Sequence, residues 1–108
     1  MANVVTAQWS IAPGADGTPA AAVPGTGASL NQVRVAAGHQ APRHSHPHEQ
    51  FVVVLAGGGE LECELGHVEL RPGTVIRFAP DAWHSAAFTA DTVLLEVNLP
   101  AIPAQVSA

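Results

Sequence analysis

The chain is poor in charge and in several reactive side chains. Charged residues make up 12% of its 108 residues, and lysine and tyrosine are absent. The net charge of −5 comes without a basic cluster, so neither nucleic acid nor an anionic membrane surface is an expected partner. Without lysine, tyrosine or a Ser-His-Asp arrangement, covalent catalysis is not expected either. The four basic residues are all arginine: Arg34, Arg43, Arg71 and Arg77.

Cysteine and long apolar runs are scarce as well. Cys63 is the single cysteine, which excludes a disulfide within the chain. No apolar run approaches the length of a membrane span. The first residues, MANVVTAQWS, lack the basic start and long apolar stretch of a signal peptide. We therefore expect a cytoplasmic protein with no membrane partner.

What the chain does contain is a series of short segments with the pattern of β-strands. Hydrophobic residues make up 47% of the chain, and no stretch has a helical pattern. In Glu60–Leu65 the alternation is complete, which predicts a solvated carboxylate face, an apolar inner face and a turn at Gly66-His67. Short strands separated by Gly and Pro turns are typical of an all-β sandwich or barrel. The predicted strands are Val4–Trp9, Leu30–Ala36, Phe51–Leu55, Glu60–Leu65, Val68–Leu70, Val75–Phe78, Trp83–Phe88 and Val93–Leu99.

The length fits one domain, residues 1–108, with a modest core. We place the barrel at residues 29–100 and a tail at 101–108. Residues 1–28 hold the first strand and then a loop over Ile11–Ala28, because three prolines there oppose regular pairing.

Four histidines crowd into ten residues before a strongly apolar segment: His39, His44, His46 and His48. Neutral imidazole is the commonest side-chain metal ligand, so the cluster indicates a metal site. On an extended strand, His44 and His46 point to one face, and Gln50 shares their parity. His84 is the later histidine set in a hydrophobic strand. Two alternatives stay open: Glu49 as ligand in place of Gln50, and a histidine-rich surface loop without metal.

The spacing of these residues resembles the first motif of the cupins, read as Gly38-x5-His44-x-His46-x3-Gln50-x6-Gly57, with Gln50 where many members carry Glu. A looser match to the second motif runs Gly73-x5-Ala79-Pro80-Asp81-x2-His84-x3-Phe88. It departs at Ala79 (usually Pro), at Asp81 (usually Gly) and at Phe88 (usually Asn). The resemblance implies the cupin double-stranded β-helix, a jelly-roll barrel.

The same resemblance implies the ligand set His44, His46, Gln50 and His84, holding one divalent transition metal (Zn, Ni, Fe, Mn, Co or Cu). All four ligands are neutral, so the charge of the ion would be uncompensated and its Lewis acidity high. Nitrogen-rich sites suit several metals, and the sequence does not choose among them.

Two further residues are catalytic candidates. Glu96 lies in the otherwise apolar strand LLEVNLP, and if it faces inward it is a suitable general base; if outward, it is a solubilising residue. Arg34 is a candidate for gripping a substrate carboxylate, or a surface ion-pair partner. The stretches HSHPHEQ and LLEVNLP resemble the small cupins that open unsaturated uronate sugars, with Glu96 in the place of their acid. Asn98 replaces an aromatic residue of those cupins, and their later arginine has no counterpart here.

Three functions therefore remain. The first is a metal-dependent isomerase, lyase or cyclase acting on a small keto/enol or sugar-acid-like substrate. The second is a metal-dependent dioxygenase, and the third a non-enzymatic cupin that binds a small ligand or sugar. Small cupins pair through sheet faces or exchanged N-terminal strands, so we expect a homodimer in which the Val4–Trp9 strand is exchanged.

Overall fold

The computed structural model describes residues 4, 6, 19–23 and 25–101, without the side chains of residues 19–22. The described residues form nine β-strands and no helix, so none of them belongs to a helix that could cross a membrane. The strands are β1 (Pro19–Val23), β2 (Ser29–Val35), β3 (Gln40–His44), β4 (Glu49–Ala56), β5 (Gly59–Cys63), β6 (Gly66–Leu70), β7 (Val75–Phe78), β8 (His84–Phe88) and β9 (Thr92–Leu99).

The strands make two antiparallel sheets. The five-stranded sheet has the order β1-β2-β9-β4-β7, and the four-stranded sheet has the order β3-β8-β5-β6. Alternate side chains of each strand point to one face, so each sheet has an inner face and an outer face. β2, β4 and β9 follow this period clearly, with the inner positions buried along their length. This is the two-sheet jelly-roll architecture expected from the sequence.

The inner faces of the two sheets enclose the hydrophobic core. Its members come from both sheets: Val33, Val35, Val52, Val54, Leu61, Leu70, Phe78, Phe88 and Leu94. A turn closes the chain tightly against β9 at Gly57, where φ is +83° and an added Cβ would lie within 2.1 Å of the Asp91 carbonyl oxygen. Only glycine fits this position without a shift of the backbone, which accounts for the last glycine of the first motif.

Three predictions of secondary structure need correction. The loop predicted over Ile11–Ala28 is wrong at Pro19–Val23, which forms β1 and pairs with β2. Proline is tolerated there because it is the first residue of a strand at the sheet edge. β5 ends at Cys63, so Leu65 lies in the turn and is 83% exposed rather than on the inner face. Gly66-His67 begins β6 instead of making the turn.

Two more differences concern β3 and the predicted N-terminal strand. β3 was not among the predicted strands, because its QAPRH sequence has no apolar alternation. The strand predicted over Val4–Trp9 lies almost wholly outside the described residues, of which only residues 4 and 6 fall within it. The homodimer with an exchanged N-terminal strand therefore stays a prediction.

Candidate metal centre

Three histidines converge on the inner side of the four-stranded sheet. His44 ends β3 and is the register partner of His84, the first residue of β8. His46 follows in the bend after β3, where its carbonyl oxygen accepts a hydrogen bond from the Asp81 amide. One nitrogen from each imidazole lies within 4.8 Å of the other two. The distant part of the sequence prediction, that His84 joins the His44-x-His46 pair, is therefore realised in the fold.

Backbone carbonyls orient two of these rings. His44 Nδ1 donates to the Pro42 carbonyl oxygen at 2.7 Å, and His84 Nδ1 contacts the Ala82 carbonyl oxygen at 3.3 Å. The Nε2 atoms of His44 and His46 are buried and have no hydrogen-bond partner in the described part of the chain. Metal-binding histidines commonly donate through one ring nitrogen and ligate through the other. The unpartnered Nε2 atoms therefore fit a metal ion, and three imidazoles at this spacing could hold one.

Burial favours the neutral form of two of these imidazoles, His46 and His84. Desolvation, and then the neighbouring His44, lower the pKa of His84 to about 4. The pKa of His46 is lowered by burial first and by His44 and His48 next. A neutral imidazole keeps the lone pair that a metal needs, so the lowered pKa values of His46 and His84 favour their ligating form.

Gln50 and Glu49 lie on opposite faces of β4. Gln50 is buried and lines the same cavity as the three histidines. Glu49 points outward, where its Oε2 accepts a hydrogen bond from Arg77 Nε at 2.6 Å. Of the two alternatives for a fourth ligand, only Gln50 is on the side of the histidines.

A hydrogen-bond network holds Gln50 from behind. Its Nε2 donates to Asn98 Oδ1 at 3.0 Å, and His48 Nε2 donates to the same oxygen at 2.8 Å. Asn98 and Gln50 are register partners on β9 and β4. Because the Gln50 nitrogen is used in this way, the amide oxygen is the atom left to face a metal. From the sequence, His48 could be a residue that supports the ligands, one that faces the substrate, or an exposed loop histidine, and Asn98 was a candidate polar residue on its strand.

The cavity next to the histidines has a volume of about 460 Å³ and lies between the two sheets. This is within the range of small-molecule sites. The imidazoles and Gln50 form one part of its wall. His39, expected in a loop, also lines it.

Glu96 faces inward. It is completely buried on β9 and lines the cavity, one side-chain layer from Asn98. Burial raises the pKa of its carboxyl group to about 8. Asn31 lies opposite Glu96 in the β2–β9 register, and its side-chain amide lowers the pKa of Glu96 by a smaller amount. The two side chains are not placed well enough to form a hydrogen bond. A carboxyl group near neutrality in a cavity with potential metal ligands is a candidate for proton transfer.

Arg34 lies outside the cavity. It alternates on β2 with Val33 and Val35, whose side chains line the cavity, so its own side chain is on the other face of the sheet. The contact with a substrate carboxylate expected for Arg34 therefore finds no support in its position.

The departure from the second motif at Asp81 has a structural reason. Asp81 has φ of +67°, in the left-handed region where glycine is the usual residue and aspartate is one of the tolerated alternatives. The backbone of the motif is therefore kept, and Asp81 presents its amide to His46.

Comparison with protein families gives a match to the Cupin domain model over residues 31–98, which include β3 to β8, most of β2 and β9, and all the residues of the site. The chain belongs to the cupin family. Among curated proteins, nothing matches.

Solved structures of other cupin-like chains share the fold. KdgF from Halomonas sp. superposes with a TM-score of 0.68 at 22% identity, covering 72% of this chain and 74% of that one. An uncharacterised double-stranded β-helix protein from Klebsiella pneumoniae gives a TM-score of 0.71 at 18% identity, covering 89% and 91% of the two chains. DMSP lyase DddQ from Ruegeria pomeroyi gives 0.64 at 23% identity, covering 69% of this chain and 39% of the lyase.

Proposed function

We propose that this cupin is a metal-dependent enzyme that moves a proton on a small substrate with a keto or enol group, in an isomerisation, lyase or cyclase reaction. The observation that carries the proposal is Glu96, a buried carboxyl group with a raised pKa in the same cavity as three converging imidazoles.

His44, His46, His84 and Gln50 would hold a divalent transition metal. The Nε2 atoms of His44 and His46 support this assignment, because they are buried and have no hydrogen-bond partner among the described residues. When bound, the ion would supply a Lewis acid that polarises a substrate oxygen. Because its ligands are all neutral, the protein offers no charge in this shell to weaken that polarisation.

Glu96 would take the substrate proton and return it. A group is most effective in proton transfer when its pKa is near the working pH, and burial has brought the pKa of Glu96 to about 8. Its register partner on β4 is Val52, next to Gln50 along the inner face, so Glu96 is one layer deeper than the proposed ligands.

Asn98 and His48 would act as positioning residues. Together they fix the amide of Gln50 through one acceptor oxygen, Asn98 Oδ1. Partners behind a ligand typically change metal affinity by about 10- to 100-fold. Enzymes are among the proteins that share this fold, including the lyase DddQ, which favours catalysis over simple binding.

The decisive experiment combines metal analysis with turnover. Elemental analysis of the purified protein should find one transition metal per chain, and keto–enol substrates should then turn over without oxygen. Turnover that requires oxygen would establish a dioxygenase instead. Full metal occupancy with no turnover of any such substrate would establish a binding protein.

Glu96→Gln is the matched test of the proton-transfer role. The variant should keep its metal and lose about 10²- to 10⁴-fold in turnover rate. In the parent protein the rate should rise with pH as Glu96 loses its proton, at or below pH 8 because a bound cation lowers the pKa of a nearby carboxyl group, and that limb should be missing from the variant. Glu49→Gln, on the outer face, is the control and should retain both the rate and the limb.

A further inference from the structure

The cavity wall away from the imidazoles is hydrocarbon. Aliphatic and aromatic side chains from both sheets form it, among them Val33, Val52, Leu61, Phe88 and Leu94. These residues are also members of the buried core, so the substrate space is continuous with the most apolar part of the molecule. A group placed against these hydrocarbon side chains gives up its contact with water and gains no hydrogen bond from them, and Glu96 is the polar side chain in their midst.

No cationic side chain lines the cavity. The chain has no lysine, and all four arginines are among the described residues; none of them is in the wall. Glu96 is the one carboxyl group there among the residues described. A substrate carboxylate lying away from the metal would meet no compensating charge, and each hydroxyl left without a partner would weaken binding by at least about fivefold.

Phe88 adds to this apolar character at a position where the second motif usually has asparagine. Its side chain is buried and lines the cavity on β8, two residues from Ala86. Where the motif usually has the amide side chain of asparagine, the cavity wall of this protein therefore has the aromatic ring of Phe88.

We propose that the substrate of this site carries its carbonyl or enol group at one end of a hydrocarbon body, and that the site excludes polyhydroxylated sugar acids. The oxygen end lies at the histidines and the hydrocarbon against the core residues. This inference rests on the proposed function, because it assumes that the histidines hold a metal at the oxygen end.

Three hydroxamic acids test the inference on the Zn²⁺-loaded protein. Acetohydroxamic, hexanohydroxamic and gluconohydroxamic acid share one metal-binding group, and the last two share a six-carbon chain. Hexanohydroxamic acid should bind roughly 250-fold tighter than acetohydroxamic acid, since each of four added methylenes contributes about fourfold. Gluconohydroxamic acid should bind no tighter than acetohydroxamic acid. Tighter binding of the gluco compound, or equal binding of all three, would overturn the inference.

Neighbouring alanines on β8 offer a matched pair of variants. Ala86 lines the cavity, whereas Ala87 alternates with it on the other face. Ala86→Leu should remove most of the gain in affinity with chain length, because the added side chain occupies the space of the hexanoyl tail. Ala87→Leu should leave the gain intact. If both variants keep the full gain, the tail does not lie in this cavity and the inference is wrong.

The order of measurement separates this inference from the proposed function. Zn²⁺ binding is measured first by calorimetry, and its absence overturns both. Zn²⁺ binding without any turnover overturns the proposed chemistry alone, since the ratio of the three affinities is measured without turnover. Should Ala86→Leu fail to fold, the affinities of the unaltered protein still decide.

Discussion

The two faces of the five-stranded sheet place similar side chains in opposite circumstances. On the outer face, Glu49 of β4 pairs with Arg77 of β7 at 2.6 Å and remains partly in water. On the inner face, Glu96 of the neighbouring β9 is completely buried, and its pKa is raised to about 8. The chemical group is the same, but only the inner one is buried in the cavity, where proton transfer to a substrate could take place.

Histidines of the four-stranded sheet repeat the contrast. His67 on β6 is exposed, and its hydrogen bond to Glu62 at 2.9 Å is the main cause of its raised pKa. His84 on β8 is buried, and its pKa is lowered to about 4. The outer-face Glu49 and His67 interact with polar or charged side chains and with water. Burial instead favours the neutral forms of the inner-face His84 and Glu96. Substitutions on the two faces should therefore have very different effects.

Removing an inner-face histidine should abolish metal binding. His44→Ala or His84→Ala deletes one of three converging imidazoles, so we expect metal affinity to fall by more than about 100-fold. The circular dichroism spectrum should remain that of a β-protein. His67→Ala is the outer-face control and should keep full metal content by elemental analysis. Stoichiometric metal in both inner-face variants would disprove the site.

The buried Glu96 should make stability depend on pH. The unfolded chain loses this proton near pH 4.5, whereas the folded protein keeps it to about pH 8. Between these values the unfolded state binds fewer protons, so the free energy of unfolding falls as pH rises. At about 1.4 kcal/mol per pH unit, the loss is at most about 5 kcal/mol. It is complete above about pH 8.

Urea unfolding of the metal-free protein and of Glu96→Gln at pH 5 to 9 measures this dependence. The two should differ least at pH 5, and the variant should gain relative to the parent as pH rises. His84 produces an opposite slope below pH 6.5, but it is present in both proteins and cancels. A constant difference across the range would mean that Glu96 titrates as an exposed carboxylate.

The choice between Gln50 and Glu49 should appear in metal preference. Gln50→Glu places a negative charge among the proposed ligands, so affinity for Mn²⁺ should rise by about tenfold or more, because hard cations prefer carboxylate oxygen. Glu49→Gln should change the affinity little, since Glu49 is on the outer face. Titration of both variants with Mn²⁺ compares them. The reverse pattern would make Glu49 the ligand, and equal affinities would leave a centre of three histidines.

Breaking the outer ion pair should have the smallest effect. Arg77 and Glu49 are partly exposed, and exposed pairs contribute about 1 kcal/mol or less. Arg77→Ala should therefore lower the free energy of unfolding by no more than that, with metal affinity and turnover unchanged. A loss of metal in Arg77→Ala would show that the two faces are coupled through β4.

Much of the fold follows from local patterns. Alternation of apolar residues predicted β2 and β5, because one buried face imposes a period of two on the sequence. Short apolar segments between turns predicted β4 and β6–β9 within a few residues. β1 and β3 were missed since neither has an apolar alternation; each is an edge strand that is held by backbone pairing. Leu65 was misplaced because alternation continues through the sequence after the strand itself has ended.

The sequence by itself determined the chemistry available: four clustered histidines, Gln50 at the parity of His44 and His46, one distant His84, and a chain without lysine or tyrosine. Only the tertiary structure decided which of these meet. His84 reaches His44 because β3 and β8 pair, although forty residues separate them. Glu96 lies between Leu95 and Val97, so the local sequence pattern does not indicate which face of β9 it occupies. The packing of β9 against the other sheet places it on the inner face. Burial is a property of two sheets together, and it is burial that raises the pKa of Glu96 and lowers that of His84.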